Sequence, residues 1–311
     1  MNESYRYNDY FIQDYWCYLH GMDMIGRLWN KSIKPEDPVE AYKRLNTMTQ
    51  TQFNDEMWDC GAKFTTWDIP ALKSYGASYI TSRTQPKMNN QGSYVWRIDS
   101  TACPENYGHN IIQLNAPLTA KTITVNFEGK AGIAGFRTNY VPYAGWRYGF
   151  VALLKDGTRK YGDSKSASMT DNEGKSSISF DCPANCDKLW LVVSGAPGMH
   201  WRHAWDDNDA NDEQWPYQVK FNNTNLYGYA NVINAINNSY EANLDVITKG
   251  RTLIINNVPA QAIVKIYDTV GRCLSNDKAS GTSFSKDMPS GIYIVSVVTG
   301  QRVFNRKIMI Q

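Results

Sequence analysis

The stretch HWRHAWDDNDANDEQW, residues 200–215, concentrates side chains that do chemistry: two histidines, three tryptophans and five carboxylates in sixteen positions. One use is metal binding. If HWRH is extended, His200 and His203 point to opposite faces and cannot share an ion; in a helical turn they can. Asp207, Asp209 and Asn211 fall at alternate positions, like the first ligands of a calcium-binding EF-hand. The glycine that should follow is Asp212, and the twelfth position is Gln218 instead of glutamate, so the EF-hand reading fails. A looser calcium loop built from Asp207, Asp209, Asn211 and Asp212 stays open, and calcium is the one cofactor that the residues suggest. The plain alternative is a solvated acidic loop paired with Arg202 and Arg147.

A second use is sugar binding. Trp201, Trp205 and Trp215, with Trp146 and Tyr148 from the distant GWRYG, could form an aromatic floor that stacks on sugar rings. Apolar CH groups would meet the ring faces while His200, His203 and the carboxylates bind hydroxyls. The competing reading is that these rings simply fill a core. Catalysis finds less support. The four histidines are His20, His109, His200 and His203, and none sits in H-E-x-x-H; no G-x-S-x-G elbow and no P-loop occurs. His20 reads as a core or helix-surface residue. Paired carboxylates for glycoside cleavage lie far apart in sequence, and nothing singles out a pair. No catalytic residue is therefore assigned.

These side chains need elements to hold them. Residues 1–85 read as a helical packet. FIQDYWCYLHGMDMIGRLW (11–29) spaces Tyr15, Leu19, Met22, Ile25 and Leu28 as one buried helical stripe. In DPVEAYKRLN, Asp37 is the N-cap and Pro38 the first helical residue. TQTQFNDEMWDCGAKFTTWD places Phe53, Met57, Cys60 and Phe64 on one face, and IPALKSYG is a short helix from Pro70 to Gly76. From 92 to 226 the period changes to two, with strands at SYVWRI, NIIQL, TITVNF, GIAGF, YGFVALL, RKYG, SISF, KLWLVVSG and YQVKF. Asp156–Gly157 signals a hairpin of the I′ type. This pattern predicts a jelly-roll-like antiparallel sandwich, with residues 200–215 as a long loop at one end, where sandwiches commonly bind. An Asn-rich linker, 227–243, leads to a small Ig-like β-sandwich over 244–311. The fold class is thus mostly β with an N-terminal helical packet.

Totals bound the partners. Lys and Arg number 32 against 30 Asp and Glu, a net of +2, so no bulk field recruits nucleic acid or anionic membrane. No apolar run is long enough for a membrane span. Aromatic residues make up 13% of the chain, with twenty Tyr and ten Trp, as in secreted β-rich proteins that touch polysaccharides. Six cysteines are too sparse for a disulfide scaffold. Cys182 and Cys186 could close a small loop around Pro183; a zinc pair lacks the second CxxC that would complete it.

The final unit resembles the type A C-terminal sorting domain of the type IX secretion system, by which Bacteroidota export proteins across the outer membrane. VKIYDTVGRCL (264–274), MPSGIYIVSVVTGQRVFNRKIMI (288–310) and the chain end carry the resemblance. It implies that Gly271 and Gly291 supply turns, that Tyr293 packs the closing strand, and that Arg306 and Lys307 present basic charge. It also implies the export machinery as partner and the cell exterior or outer-membrane surface as location. The remainder resembles an uncharacterised family of secreted bacterial proteins, at FNDEMWDCGAKFTTWDI (53–69), GWRYGFVALLKDGTRKYGD (145–163) and LWLVVSGAPGMHWRHAWDDNDANDEQWPYQVKF (189–221). In longer members of that family a metallopeptidase-like region is expected ahead of this part.

One conflict follows. MNESYRYNDYFIQDYW has no basic segment followed by an apolar one, so it is not a signal peptide. The expectation is a fragment of a longer product, its helical region the remnant of a larger domain. The leading reading is a secreted or surface protein whose sandwich is a glycan-binding or accessory module. The other is the noncatalytic C-terminal half of a metallopeptidase-like hydrolase whose active site lies upstream of Met1.

Overall fold

Two of the helix starts, those at Pro38 and Gln50, follow the cap chemistry of the sequence. The computed structural model describes residues 11–203, 208–229, 244–259, 261–299 and 302–310, apart from the side chains of Asn172, Arg302 and Val303. Asp37 caps α3 (Pro38–Leu45) with a reciprocal box: its Oδ1 accepts from the Glu40 N–H at 2.8 Å, and Glu40 Oε2 accepts from the Asp37 N–H at 2.9 Å. Thr49 and Gln52 cap α4 (Gln50–Thr65) in the same way. The stripe expected over 11–29 breaks, however. Gly21, at φ +94°, ends α1 (Ile12–His20), and the chain restarts as α2 (Met24–Lys31). The break rotates the face, so Tyr15 and Met24 are buried while Leu19 and Met22 are exposed. A last turn, α5 (Lys73–Gly76), is shorter than the sequence suggested.

Ten strands follow: β1 (Met88–Asn90), β2 (Val95–Ile98), β3 (His109–Leu114), β4 (Lys121–Gly129), β5 (Gly145–Leu154), β6 (Arg159–Tyr161), β7 (Lys165–Ser168), β8 (Lys175–Cys182), β9 (Cys186–Gly195) and β10 (Tyr217–Asn222). They form two antiparallel sheets, β1-β2-β10-β4-β8 and β3-β9-β5-β6, with β7 also on β5. The chain changes sheet at most connections, and alternate residues such as Ile123, Val125 and Phe127, or Tyr217, Val219 and Phe221, fill the space between the layers. GIAGF is not a strand: Gly132 and Gly135 have φ of +84° and +88°, and the segment turns. The Asp156–Gly157 hairpin is not type I′ either. Only Gly157 has positive φ, and Leu154 N–H bonds to the Thr158 carbonyl, which is the three-residue loop with a glycine in the left-handed region.

β9 is buried along most of its length because both of its faces are covered. Leu189, Leu191 and Val193 face the other sheet, whereas Trp190 and Val192 face α4. There Trp58 donates its indole N–H to the Val192 carbonyl at 3.2 Å. It fits because Gly149 lacks a Cβ, which would stand 2.6 Å from the Trp58 ring. The helices thus close the outer face of the second sheet, within one compact unit, Met1–Ile233.

The other unit, Asn234–Gln311, has its own core of Leu253, Ile255, Val264, Ile266, Tyr293, Val295 and neighbours. Its strands are β11 (Asp245–Lys249), β12 (Thr252–Asn256), β13 (Ile263–Tyr267), β14 (Cys273–Lys278), β15 (Ser283–Asp287), β16 (Gly291–Thr299) and β17 (Arg302–Ile310), in sheets β11-β12-β15 and β14-β13-β16-β17. Gly271 has the positive φ expected of its turn, +83°, but Gly291 does not. Gly291 instead makes room for the buried ring of Tyr293, whose hydroxyl donates to the Pro289 carbonyl at 3.0 Å. Arg306 and Lys307 are exposed on the edge strand β17. Among the described residues no helix is long and apolar enough to cross a membrane.

Candidate functional site

The loop after β9 is anchored residue by residue, and its anchors differ from those the sequence suggested. His200 and His203 do not converge. His200 Nε2 lies 2.7 Å from Asp37 Oδ2 and its Nδ1 lies 2.9 Å from the Tyr107 hydroxyl. With the Nε2 proton donated to Asp37, Nδ1 accepts from Tyr107, whose oxygen accepts from Gln50 Nε2 at 3.3 Å. Asp37 therefore caps α3 and holds the loop at once. Burial raises its carboxyl pKa, but the hydrogen bonds from His200 and the Glu40 N–H outweigh that and hold it below the usual range. Arg202 forks onto both Glu40 oxygens at 2.7 and 3.1 Å, and Arg147 pairs with Asp55 at 2.5 Å. Both arginines, expected to neutralise the acidic loop, neutralise helix residues instead.

His203 turns back into its own loop, 2.7 Å from Glu213 Oε2. Glu213 is fully buried, and its Oε1 accepts from the Asn106 N–H at 2.8 Å. The bond to Glu213 raises the His203 pKa above its ordinary value against the opposing effect of burial. Glu105 is raised as well, first by its partial burial and then by Asp212 and Glu213. Arg137 donates to the Glu213 carbonyl at 3.1 Å, and Asn139 donates to the Ala210 and Asp212 carbonyls. Asp209 and Asn211 lie in a tight 3-10 turn, Asp209–Asn211, and Asp212 is buried behind it. Trp205 and Asp207 fall outside the described residues. Among the described residues no group of three or more His, Cys, Asp or Glu is placed to hold a metal ion.

The aromatic floor also has different members. Trp146 and Tyr148 are fully buried and cannot face a ligand. Trp146 sits over Gly129, where a Cβ would come within 2.1 Å of its ring, and donates to the Trp215 carbonyl at 3.3 Å. Tyr148 stacks on Phe127 at 4.4 Å, and burial pushes its phenol up to about 12. Trp215, also fully buried, donates to the Asn139 carbonyl at 3.1 Å. Only Trp201 of the four described tryptophan and tyrosine candidates is partly exposed, and it is the middle of a tier. Tyr140 stacks on it at 4.3 Å and 22°, Tyr143 leans on it at 5.9 Å, and Trp215 meets it edge-on from the core side.

Tyr140 and Tyr143 are 40% and 42% exposed, so they are the rings that solvent sees. Tyr140 holds φ at +55°, a left-handed conformation that a bulky residue rarely adopts. The sequence reading missed both. The available signal was two tyrosines flanking Val141–Pro142 in a loop, where Val141 and Pro142 open a short 3-10 turn. Near this tier the indole N–H of Trp201, the side-chain amide of Asn106 and Nε of Arg137 are buried with no hydrogen-bond partner among the described residues.

Comparisons with known proteins add the family. No curated protein matches the chain. Among solved structures, a mitogen derived from Yersinia pseudotuberculosis aligns with a TM-score of 0.26 at 5% identity, covering 47% of this chain and 90% of that one. The C-terminal family 22 carbohydrate binding module of Clostridium thermocellum Xyn10B gives 0.25 at 11%, over 47% and 83%. PorZ, a surface component of the type-IX secretion system of Porphyromonas gingivalis, gives 0.20 at 11%, over 52% and 30%. Likenesses at this level carry no argument. Residues 1–228 match a family of unknown function, DUF6055, and the chain belongs to that family.

Proposed function

We propose that this is a secreted or surface-attached protein whose sandwich binds glycan through the Tyr140–Trp201–Tyr143 tier. The observation that carries this reading is Tyr140: a large ring held at φ +55°, stacked on Trp201 and left 40% exposed. A ring left exposed and braced by a second ring behind it offers a flat apolar face to a ligand. An aromatic face meets the CH face of a pyranose, and Glu105 and His203 at the rim supply polar handles for hydroxyls.

Affinity electrophoresis against a panel of soluble polysaccharides tests it. Retardation by at least one polysaccharide is expected, weakened roughly tenfold, or about 1.4 kcal/mol, in Tyr140→Ala and Tyr143→Ala. Tyr143→Phe keeps the ring and should keep the retardation. Unchanged retardation in both alanine variants would remove the tier from the account.

The second unit is proposed to be the type IX export signal, with the export machinery as its partner and the cell exterior or outer-membrane surface as the destination. Two observations support this: it has a core of its own, and the family match ends at residue 228, before it begins. Expressed behind a cleavable signal peptide in a type IX-competent Bacteroidota host, the full chain should be secreted and a form lacking 244–311 should stay in the periplasm; secretion of the truncated chain would refute the assignment.

A further inference from the structure

The arch between β8 and β9 carries two thiols that neither glycan binding nor export uses. β8 belongs to one sheet of the sandwich and β9 to the other, so Cys182 and Cys186 approach the space between the layers from opposite sides. Both side chains reach it: Cys182 is 1% and Cys186 5% exposed, and both belong to the core cluster between the sheets. Only Pro183, Ala184 and Asn185 separate them. The Cys186 N–H bonds back to the Pro183 carbonyl at 3.2 Å, and the Asn185 carbonyl accepts from the Lys155 N–H at 2.9 Å, which pins the tip to the neighbouring hairpin. The tip itself, Ala184–Asn185, is exposed. Both sulfurs are free thiols.

We propose that Cys182 and Cys186 are the site of an intrachain disulfide that covalently closes this arch, formed by exchange with a disulfide-bearing oxidant. The other four cysteines offer no such pair: Cys17 and Cys60 lie in different helices, Cys103 in a loop beside β3, and Cys273 in the other unit.

The two thiols are not equivalent. The Cys186 sulfur lies 3.3 Å from the Lys188 carbonyl, and the interaction between the two thiols lowers the pKa of Cys186 while it raises that of Cys182. Cys186 is therefore the attacking thiolate. Its sulfur bonds to one sulfur of the oxidant and breaks the oxidant's S–S bond, expelling one thiolate. Cys182 then loses its proton and attacks the Cys186 sulfur of the mixed disulfide, expelling the second. The protein loses two electrons and two protons; the oxidant gains the electrons as two thiolates, which take up protons from solvent.

The test is incubation of the full chain with oxidised glutathione, from the native state and during refolding from denaturant, followed by intact mass and peptide mapping with reduced controls. The expected result is a loss of two hydrogens and a linked peptide joining residues 182 and 186. In Cys182→Ser the reaction should stop at a glutathione adduct on Cys186, whereas Cys186→Ser should give no adduct at 182. Mapping on the unsubstituted chain decides the matter if either variant fails to fold. Two free thiols at 182 and 186 after refolding in oxidised glutathione, or linkage of either to another cysteine, would overturn the proposal; an adduct on Cys182 in the Cys186→Ser variant would overturn the order of attack.

Discussion

His200 and His203 stand three residues apart, each 2.7 Å from a carboxylate oxygen, yet they serve different parts of the molecule. His200 reaches across 163 residues to Asp37 and so ties the loop to the cap of α3. His203 reaches ten residues to Glu213 and ties the loop to itself. The shared pairing of an imidazole with a carboxylate hides a difference in burial. Asp37 keeps a quarter of its side chain in solvent, while Glu213 keeps none. A buried charge depends on its few partners far more than an exposed one does, because water cannot replace them.

Removing the two carboxylates should break the comparison open. Glu213→Ala strands the Asn106 N–H beneath the loop and takes the buried carboxylate from the part-buried His203 ring, and should cost about 3 kcal/mol of unfolding free energy in urea. Asp37→Ala removes a helix cap and the His200 contact together, and should cost about 2 kcal/mol. Asp37→Asn keeps an oxygen for the Glu40 N–H and should recover the part due to the cap, about 1 kcal/mol. Equal losses for Glu213→Ala and Asp37→Asn would mean that burial does not separate the two pairs.

Acidity sharpens it further by adding a third histidine. His203 is raised, so its contribution is fully present below the unfolded value of 6.5 and is lost as pH climbs through its folded pKa. His109 behaves oppositely. Burial, helped by Arg83, lowers it to about 4, and its ring is enclosed under Gly61, where a Cβ would come within 2.9 Å. Its contribution is present above 6.5 and lost as pH falls towards 4. Urea midpoints measured across this range should show His109→Gln flattening the acid side, an effect of about 1–2 kcal/mol, and His203→Gln flattening the side above 6.5. A single variant that flattens both sides would show that the two groups are not independent.

Much of the fold was legible from period and punctuation, because alternation in TITVNF and YQVKF and the Asp37–Pro38 start reflect local physics. The misses were residues whose state depends on distant partners. Met88–Asn90, Lys165–Ser168 and Ser283–Asp287 are short or polar strands with little apolar alternation to reveal them. Trp146 and Tyr148 were read as a platform, although alternation puts both on one face of β5, and that face is the core. The run LWLVV did carry a signal left unused: unbroken apolar character means that both faces are covered, and α4 is the cover. The site was less legible. Nothing near His200 points to Asp37, and the two tyrosines of NYVPY become a tier only when Trp201 folds between them.

Arg202 is the mildest case and the most discriminating. It joins the same loop to the same helix as His200, through two bonds to Glu40 where His200 makes one to Asp37. A count of contacts would rank it first. Its side chain is 45% exposed and that of Glu40 33%, so water and salt compensate when either is lost, and long side chains are freed from one geometry. Arg202→Ala should therefore leave the urea midpoint within experimental scatter of the parent, with no dependence on added salt beyond the parent's own. A shift as large as that of Asp37→Ala would show that the guanidinium, and not the buried imidazole, fastens the loop to α3. The role assigned to His200 would then pass to Arg202.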